Sequence, residues 1–230
     1  MKNHIVIIGY HPGRTETIVK QILADRMREP SPILLICSHD QCNEIPLIEG
    51  VSGIRGTIDS DDVMIRSNVA KAKKIIIDVG DDALTLAVGL AVRSFNQTSH
   101  VVAGLHDLEM GGKRLSRIST DIPIEAVLWQ DYKLMVQAMQ DPGISCLISI
   151  LTDNTTGHEF YRGSLPDGWT GKTFGELFTH LKQHFDATVL GLYNDCDGTI
   201  LENPPWDLGL SRHDGYFYIA SERINPGKTC

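Results

Sequence analysis

A loop that directly follows the first apolar run is the segment of this chain best suited to contact a phosphate group. The run His4–Ile8 leads into Gly9-Tyr10-His11-Pro12-Gly13-Arg14. In loops that bind the pyrophosphate of a dinucleotide, glycines at the first, third and sixth positions allow a tight turn and a close approach of the backbone. Here Gly9, His11 and Arg14 hold those positions. Because only the first is glycine, we do not expect conventional NAD binding by this loop.

Arg14, which replaces the glycine at the sixth position of this loop, indicates an anion nearby. A cation in the first turn of a helix opposes the helix dipole, so it usually has an anionic partner. That partner is either a phosphate or other anionic ligand at the helix N-terminus or an acidic neighbour such as Glu16 or Asp40, and a solvated Arg14 is the third alternative. The acid that would contact a ribose is absent at the end of the second apolar run, unless the strand extends to Asp40.

Three carboxylates follow the fourth apolar run, at Asp78, Asp81 and Asp82. Carboxylate oxygens are ligands for hard cations such as calcium. Asp81 and Asp82 also suit the first turn of the helix that follows, where they would complement its dipole. Both interpretations stay open.

Two further groups could hold a metal ion. His180 and His184 stand four residues apart on a predicted helix, a spacing that can place two imidazoles on one metal. The glutamate of an H-E-x-x-H motif is missing, so a solvated helix face is the alternative. Cys37, His39 and Cys42 could form a clip, although a Cys37 buried in a strand is the simpler account.

Nothing in the sequence indicates an enzyme. No Ser-His-Asp or Cys-His grouping has the surrounding sequence of a nucleophile elbow, and there is no P-loop. The five cysteines form no C-x-x-C pair, which is typical of reduced thiols in a cytosolic setting.

The elements that must position these residues alternate regularly in the first half of the chain. The predicted strands are His4–Ile8, Ile33–Cys37, a brief one around Ile54, Lys74–Ile77, His100–Leu105 and Ala126–Trp129. The predicted helices are one capped by Thr15 and stopped by Pro30, Asp61–Ala70 capped by Ser60, Ala83–Phe95, and one through Leu115 and Ile118. Strands and helices in this rhythm predict a Rossmann-like, doubly wound parallel sheet with its ligand edge at the strand C-termini.

The pattern changes after residue 130. A helix containing Tyr132 and Met139 is separated from a second, Ile144–Leu151, by Asp141-Pro142-Gly143, which predicts a helical hairpin. A small α+β module follows. Its predicted elements are strands Glu159–Leu165, Thr188–Tyr193, Ile200–Leu201 after a turn at Asp197-Gly198, and Tyr216–Ala220, with a helix at Phe174–Phe185. We therefore predict three parts: 1–130, 131–155 and 156–230.

Composition narrows the class of partner. The 230 residues include 42% hydrophobic and 22% charged ones, and the formal net charge is −8. An acidic balance argues against a dedicated nucleic-acid binder. The run Ala83–Val92 is too short to span a bilayer, and the N-terminus lacks a signal pattern, so no membrane span is expected in this chain.

The order of several motifs resembles the RCK family (regulator of potassium conductance), the module of prokaryotic potassium channels and Trk/Ktr-type transport subunits. The resembling segments are the run from His4 to Tyr10, Arg55-Gly56-Thr57 before an acidic helix, Lys74–Asp78, Ile200–Pro205 and Arg212–Ile219. The usual Gly-Asp pair before the last strand is His213-Asp214-Gly215 here. The resemblance spans nearly the whole chain and implies a Rossmann-like N-lobe, a helical dimerisation arm and a small α+β C-terminal lobe.

The resemblance also implies a function: a cytosolic gating-ring domain that controls potassium conductance by a ligand-driven conformational change. The implied partners are a second copy, bound through the arm and the C-terminal lobe, an octameric ring, and a potassium channel pore at the cytoplasmic side of the plasma membrane. The alternatives are an NAD(P)-dependent oxidoreductase and an RCK scaffold subunit that binds no ligand.

The ligand implied is a nucleotide of the NAD, ATP or ADP class, or a divalent cation such as calcium. The nucleotide contacts would be Gly9, Tyr10, His11, Gly13, Arg14, Ser38, Thr57 and Asp78. In calcium-gated relatives an aspartate like Asp78 combines with two acids after the fifth strand, and those positions are Gly104 and His106 here. The cation contacts would then be Asp78, Asp81 and His106.

Overall fold

A computed structural model of the chain describes residues 1–24, 31–39, 50–118, 122–129, 132–155 and 157–224. The chain forms two compact units. Unit 1 comprises Met1–Lys20 and Arg28–Lys133, and unit 2 comprises Gln21–Met27 and Leu134–Cys230. The division into 1–130, 131–155 and 156–230 remains a prediction.

The centre of unit 1 is a parallel sheet of six strands in the order β3-β2-β1-β4-β5-β6. The strands are β1 His4–Ile8, β2 Ile33–Cys37, β3 Val51–Arg55, β4 Ala72–Ile77, β5 His100–Leu105 and β6 Glu125–Leu128. β1 and β2 are buried along their whole length, which explains their uninterrupted apolar sequences. The strand order reverses between β1 and β4, the place where a sheet of this kind binds ligands. The prediction of a Rossmann-like sheet is confirmed.

The helices that lie wholly or mostly in unit 1 are α1 Arg14–Ala24, α2 Asp61–Arg66, α3 Asp82–Phe95 and α4 Lys113–Leu115. A 3-10 turn covers Val69–Lys71 and a π-helical turn covers Leu108–Gly112. The main core lies between the sheet and α3, where Ile75 and Ile77 share a buried cluster with Val88 and Val92.

Two helix predictions in unit 1 are wrong in length. The helix expected to run to Ala70 ends at Arg66, because Asn68 takes a left-handed conformation with φ 52°. Asparagine tolerates this conformation and commonly ends helices. The helix expected through Leu115 and Ile118 has only three α-helical residues, after the π-helical turn that contains the two glycines Gly111 and Gly112.

Unit 2 contains the helical hairpin and the α+β module. The helices are α5 Tyr132–Gln140, α6 Ile144–Leu151 and α7 Phe174–Phe185. An antiparallel sheet in the order β7-β10-β8-β9 consists of β7 Glu159–Ser164, β8 Thr188–Asn194, β9 Ile200–Glu202 and β10 Asp214–Ala220. Both features were predicted from the sequence, and both are present.

Local signals explain the helix ends in unit 2. Gly143 starts α6 with φ 103°, a conformation that other residues rarely adopt. Thr173 and Glu176 form a reciprocal capping box at the start of α7. The core packs Leu177 and Leu181 of α7 against the sheet residues Tyr216 and Tyr218. No helix in the described ranges has the length and hydrophobicity that crossing a membrane requires.

Candidate ligand-binding site

The loop after β1 turns sharply against the end of β4. Gly9 has φ 103°, and a Cβ atom at this position would overlap the main-chain oxygen of Asp78. The Gly9 amide donates to the Ile36 carbonyl at 2.8 Å, and the Asp78 amide donates to the Ile8 carbonyl at 2.7 Å. The first glycine is therefore required by a close approach within the chain itself, whatever ligand binds nearby.

The start of α1 differs from the prediction that Thr15 caps it. The helix begins at Arg14, and Thr15 is fully buried inside the first turn. Its hydroxyl oxygen accepts a hydrogen bond from the His11 amide at 2.9 Å. Glu16 accepts a hydrogen bond from the Tyr10 hydroxyl at 2.7 Å, and this bond lowers the pKa of the Glu16 carboxyl. Tyr10 thus occupies the carboxylate that was one of the possible partners of Arg14.

Arg14 instead binds Asp78. Its Nε and Nη2 atoms donate to the two carboxylate oxygens at 2.9 and 2.8 Å. The Asp78 side chain is 6% exposed and the Arg14 side chain 42% exposed. A bidentate arginine–carboxylate pair is among the strongest polar contacts in proteins, and burial of the aspartate limits screening by water. Of the other acids considered, Asp40 lies outside the described residues.

Trp129 completes the site, whereas the sequence pattern predicts only that it ends a strand. The Arg14 guanidinium carbon lies 4.5 Å from the centre of a Trp129 ring, a cation–π contact. The His106 ring meets the indole edge-on, with centroids 4.4 Å apart. A Cβ atom at Gly104 would overlap the indole. A glycine inside a strand marks a close approach of other atoms, so Gly104 was the signal that could have revealed this contact.

These side chains border a cavity of about 280 Å³ at the carboxyl edge of the sheet. Its lining residues are Arg14, Ile18, Ile76, Ile77, Asp78, Val102, Gly104, Val127 and Trp129. The wall is mainly apolar, and its one cation and one anion neutralise each other. Pockets for small molecules range from about 300 to 1,000 Å³, so this cavity suits a single ring system better than a whole dinucleotide.

The remaining predicted nucleotide contacts lie along the same edge of the sheet. Ser38 follows β2 and Thr57 lies two residues beyond the end of β3, on the β1 side of the strand order. Gly13 has φ 79° and open space around its α-carbon. The parallel strands thus bring the predicted residues to one edge, while only Arg14 and Asp78 line the cavity.

The acidic residues after β4 already have partners within the chain. Asp81 caps α3 by accepting a hydrogen bond from the Leu84 amide at 2.8 Å. Asp82 accepts hydrogen bonds from the His106 and Asp107 amides at 2.8 and 3.0 Å. Within the described ranges no three or more His, Cys, Asp or Glu side chains form a group that could hold a metal ion. The cation site at Asp78, Asp81 and His106 therefore stays a prediction with no assembled ligand set behind it.

The cysteine and histidine clip is only partly described. Cys37 is buried at the end of β2, in agreement with a structural cysteine. Cys42 lies outside the described residues.

One family model matches this chain, and the match covers most of unit 1. The TrkA-N domain model matches residues 5–124, which is about half of the chain and most of unit 1. No curated protein matches the sequence.

Among solved structures, the human SLO3 gating ring matches with a TM-score of 0.65 and 13% identity, over 95% of this chain and 44% of that one. The crystal structure of the GsuK RCK domain matches with a TM-score of 0.43 and 21% identity, over 96% of this chain and 44% of that one. The TrkA-N domain of the inner membrane protein ybaL from Escherichia coli matches with a TM-score of 0.46 and 17% identity, over 61% of this chain and 96% of that one. This chain thus spans less than half the length of the first two.

Proposed function

Because the chain belongs to the TrkA-N domain family, we propose that it is a ligand-sensing regulatory domain of the RCK type that controls potassium conductance. We place it in a gating ring on the cytoplasmic side of the plasma membrane, attached to the pore of a potassium channel. The observation that carries this proposal is the cavity beside β4, β5 and β6, whose single cation and single anion bind each other. That arrangement suits binding more than catalysis.

The cavity favours a ligand with a planar ring and an anionic group, as in a mononucleotide such as ATP, ADP or AMP. Trp129 and the apolar wall would hold the ring. Arg14 is the cation available for the anionic group, and it would first have to release Asp78. Ser38 and Thr57 remain proposed contacts beyond the cavity, along the same edge.

The exchange of Arg14 between two anions supplies a two-state element. In one state Arg14 binds Asp78, and in the other it binds the ligand. A ligand shifts a conformational equilibrium only if it binds one state better than the other. The release of Asp78 would change the contact between α1 and β4, and the ring would transmit this change to the pore.

The experiment is thermal unfolding of the chain with NAD, NADH, ATP, ADP, AMP, calcium, magnesium and zinc. A ligand at 100 times its Kd adds about 2.7 kcal/mol to the native state. Each kcal/mol raises the Tm of a chain of this size by about 2–4 °C. We expect a nucleotide to raise the Tm and calcium to leave it unchanged.

A pair of variants tests the position of the ligand. Val127 lines the cavity and is 46% exposed, so Val127→Trp should fill the cavity with little effect on stability and without adding a charge. Ile65 is 65% exposed on α2 and does not line the cavity, so Ile65→Trp is the matched control. We expect the nucleotide effect to disappear in the first variant and persist in the second. An effect that persists in Val127→Trp, or turnover of NAD(P)H with a small carbonyl substrate, would contradict the proposal.

Assembly is the second part of the proposal. The helical hairpin α5–α6 exposes large apolar side chains: Met135, Val136, Met139, Leu147 and Ile150. Such a surface in a water-soluble protein indicates a partner. We propose a homodimer through this hairpin and the C-terminal lobe, and a ring of eight copies. Light scattering should show dimers or larger species for the wild type and monomers for Met135→Glu/Met139→Glu, with Gln137→Glu as control. A wild-type monomer at high concentration would refute the homodimer.

A subunit that has lost ligand binding is the second candidate function. The Arg14–Asp78 pair favours it, since the chain's own carboxylate occupies the cation that a ligand would need. This candidate predicts normal assembly with no Tm change for any ligand in the panel.

A further inference from the structure

The last two turns of α7 carry two imidazoles side by side. The ring centroids of His180 and His184 are 4.6 Å apart, with 46° between the ring planes. Both rings line an open groove of about 340 Å³ between α7 and Trp206. The groove belongs entirely to unit 2 and has no residue in common with the cavity in unit 1.

The spacing of the two rings fits shared coordination of one metal ion. A zinc–imidazole bond is about 2.0–2.1 Å long. Adding the distance from the bonded nitrogen to the ring centre, two imidazoles at 90–110° on one ion have centroids about 4.5–5 Å apart. The observed 4.6 Å lies in this range.

The imidazole nitrogens are also available. Neither ring has a hydrogen bond to any residue that the structure describes. His180 packs against Trp169 and Phe185, with centroid distances of 5.0 and 5.9 Å, which restricts its rotation.

We propose that His180 and His184 form a binding site for a borderline transition-metal ion, Cu²⁺ or Zn²⁺, with water in the remaining coordination positions. Imidazole ligands suit these ions, whereas calcium and magnesium prefer oxygen. Two protein ligands leave at least two positions to solvent, so the site is exchangeable and not structural. This inference does not depend on the proposed function.

The charged neighbours of the pair bear on its strength. Glu176 lines the same groove, but one of its carboxylate oxygens is engaged with the Thr173 amide and hydroxyl. Lys172 repels a cation, and its ammonium lies 4.0 Å from the centre of a Trp169 ring. The pair therefore has one anionic and one cationic neighbour, and the imidazoles supply the coordinating nitrogens.

Indole fluorescence of the untagged chain tests the site. Trp169 touches His180 and Trp206 lines the groove, so Cu²⁺ bound there should quench both. We expect quenching to saturate at one Cu²⁺ per chain, reversal by excess Zn²⁺, and no effect of Ca²⁺. His180→Gln and His184→Gln should each weaken binding by at least about tenfold. Loss of a group that only supports a metal ligand already costs about tenfold, and loss of a ligand should cost at least as much.

The matched control is His213→Gln, an exposed histidine of unit 2 outside the groove. It should bind Cu²⁺ as tightly as the wild type does. Exposed His184 can be replaced without disturbing the core, and a circular dichroism spectrum with an unchanged Tm shows that the variant is folded. Zn²⁺ titration calorimetry gives an independent affinity. Wild-type affinity in folded His184→Gln, or no saturable binding to the wild type, would overturn the proposal.

Discussion

The cavity in unit 1 and the groove in unit 2 both contain polar side chains beside a tryptophan, but they differ in whether those side chains already have partners. In the cavity, Arg14 and Asp78 bind each other, and His106 packs against the cavity residue Trp129. In the groove, His180 and His184 have no hydrogen-bond partner in the described part of the chain. A charged or imidazole group whose polar atoms already have a partner can bind a ligand only by giving up that partner. The cavity therefore requires a ligand to compete with the protein, whereas the groove does not.

The two sites also differ in how the chain builds them. The groove pair comes from one helix, where residues four apart always share a face. The cavity combines residues from α1, three strands and the segment after β6. A substitution of buried Asp78 should therefore affect the stability of unit 1, while a substitution of exposed His184 should affect metal binding alone.

The largest expected effect separates the two glycines of the first loop. Gly9→Ala places a Cβ atom against the Asp78 carbonyl at a left-handed φ, and should destabilise the chain by more than about 3 kcal/mol. Gly13→Ala meets open space and should cost only about 1–2 kcal/mol from its conformation. Urea unfolding measures both. Equal losses would show that the contact between Gly9 and β4 is unimportant.

The next effect concerns the ion pair. Asp78→Asn should destabilise the chain by about 1–2 kcal/mol. The loss of stability stays in this range because half-exposed Arg14 can turn to solvent when its partner is neutral. The exposed pair Asp62–Arg66 is the control, and Asp62→Asn should change stability by less than about 0.5 kcal/mol. Asp78→Asn should also strengthen binding of an anionic ligand, since Arg14 is released. An unchanged Tm together with unchanged ligand binding would mean that Asp78 neither stabilises the fold nor competes with a ligand for Arg14.

The smallest effect is a dependence of stability on pH. Burial lowers the pKa of His4 in unit 1 and of His180 in unit 2 below the ordinary 6.5. Below pH 6.5 the unfolded chain therefore binds more protons than the folded chain, and stability falls as the pH decreases towards the folded pKa values.

His4 should dominate this effect, because it is fully buried with its Nε2 donating to the Ser67 carbonyl at 3.0 Å and its Nδ1 without a partner. Between about pH 5.5 and 7.5, the dependence of the urea midpoint on pH should be reduced more by His4→Gln than by His180→Gln. If His180→Gln reduced the pH dependence more, protonation in the folded chain would cost more free energy at His180 than at His4.

Most elements could be predicted because their signals are local. The strands His4–Ile8 and His100–Leu105 and the helix Phe174–Phe185 occupy the predicted residues. Apolar β-branched runs and a Pro-Gly break act within a few residues. The predicted end of α2 is wrong, because the left-handed conformation of Asn68 stops the helix before Ala70.

The site was predicted less completely. Gly9, Arg14 and Asp78 were named from the sequence, and the structure brings them together. Trp129 was missed as a site residue, because its contact with Arg14 joins positions far apart in the chain and leaves no periodic signal.

The sequence by itself determined the parallel sheet, the helical hairpin, the α+β module and the four-residue spacing of the histidine pair. Only the tertiary structure decided that Arg14 binds Asp78, 64 residues away. The physical reason is that the strand order places β4 beside β1, so the end of one strand faces the loop of the other. Local sequence sets which elements form, and the sheet order sets which distant charges meet.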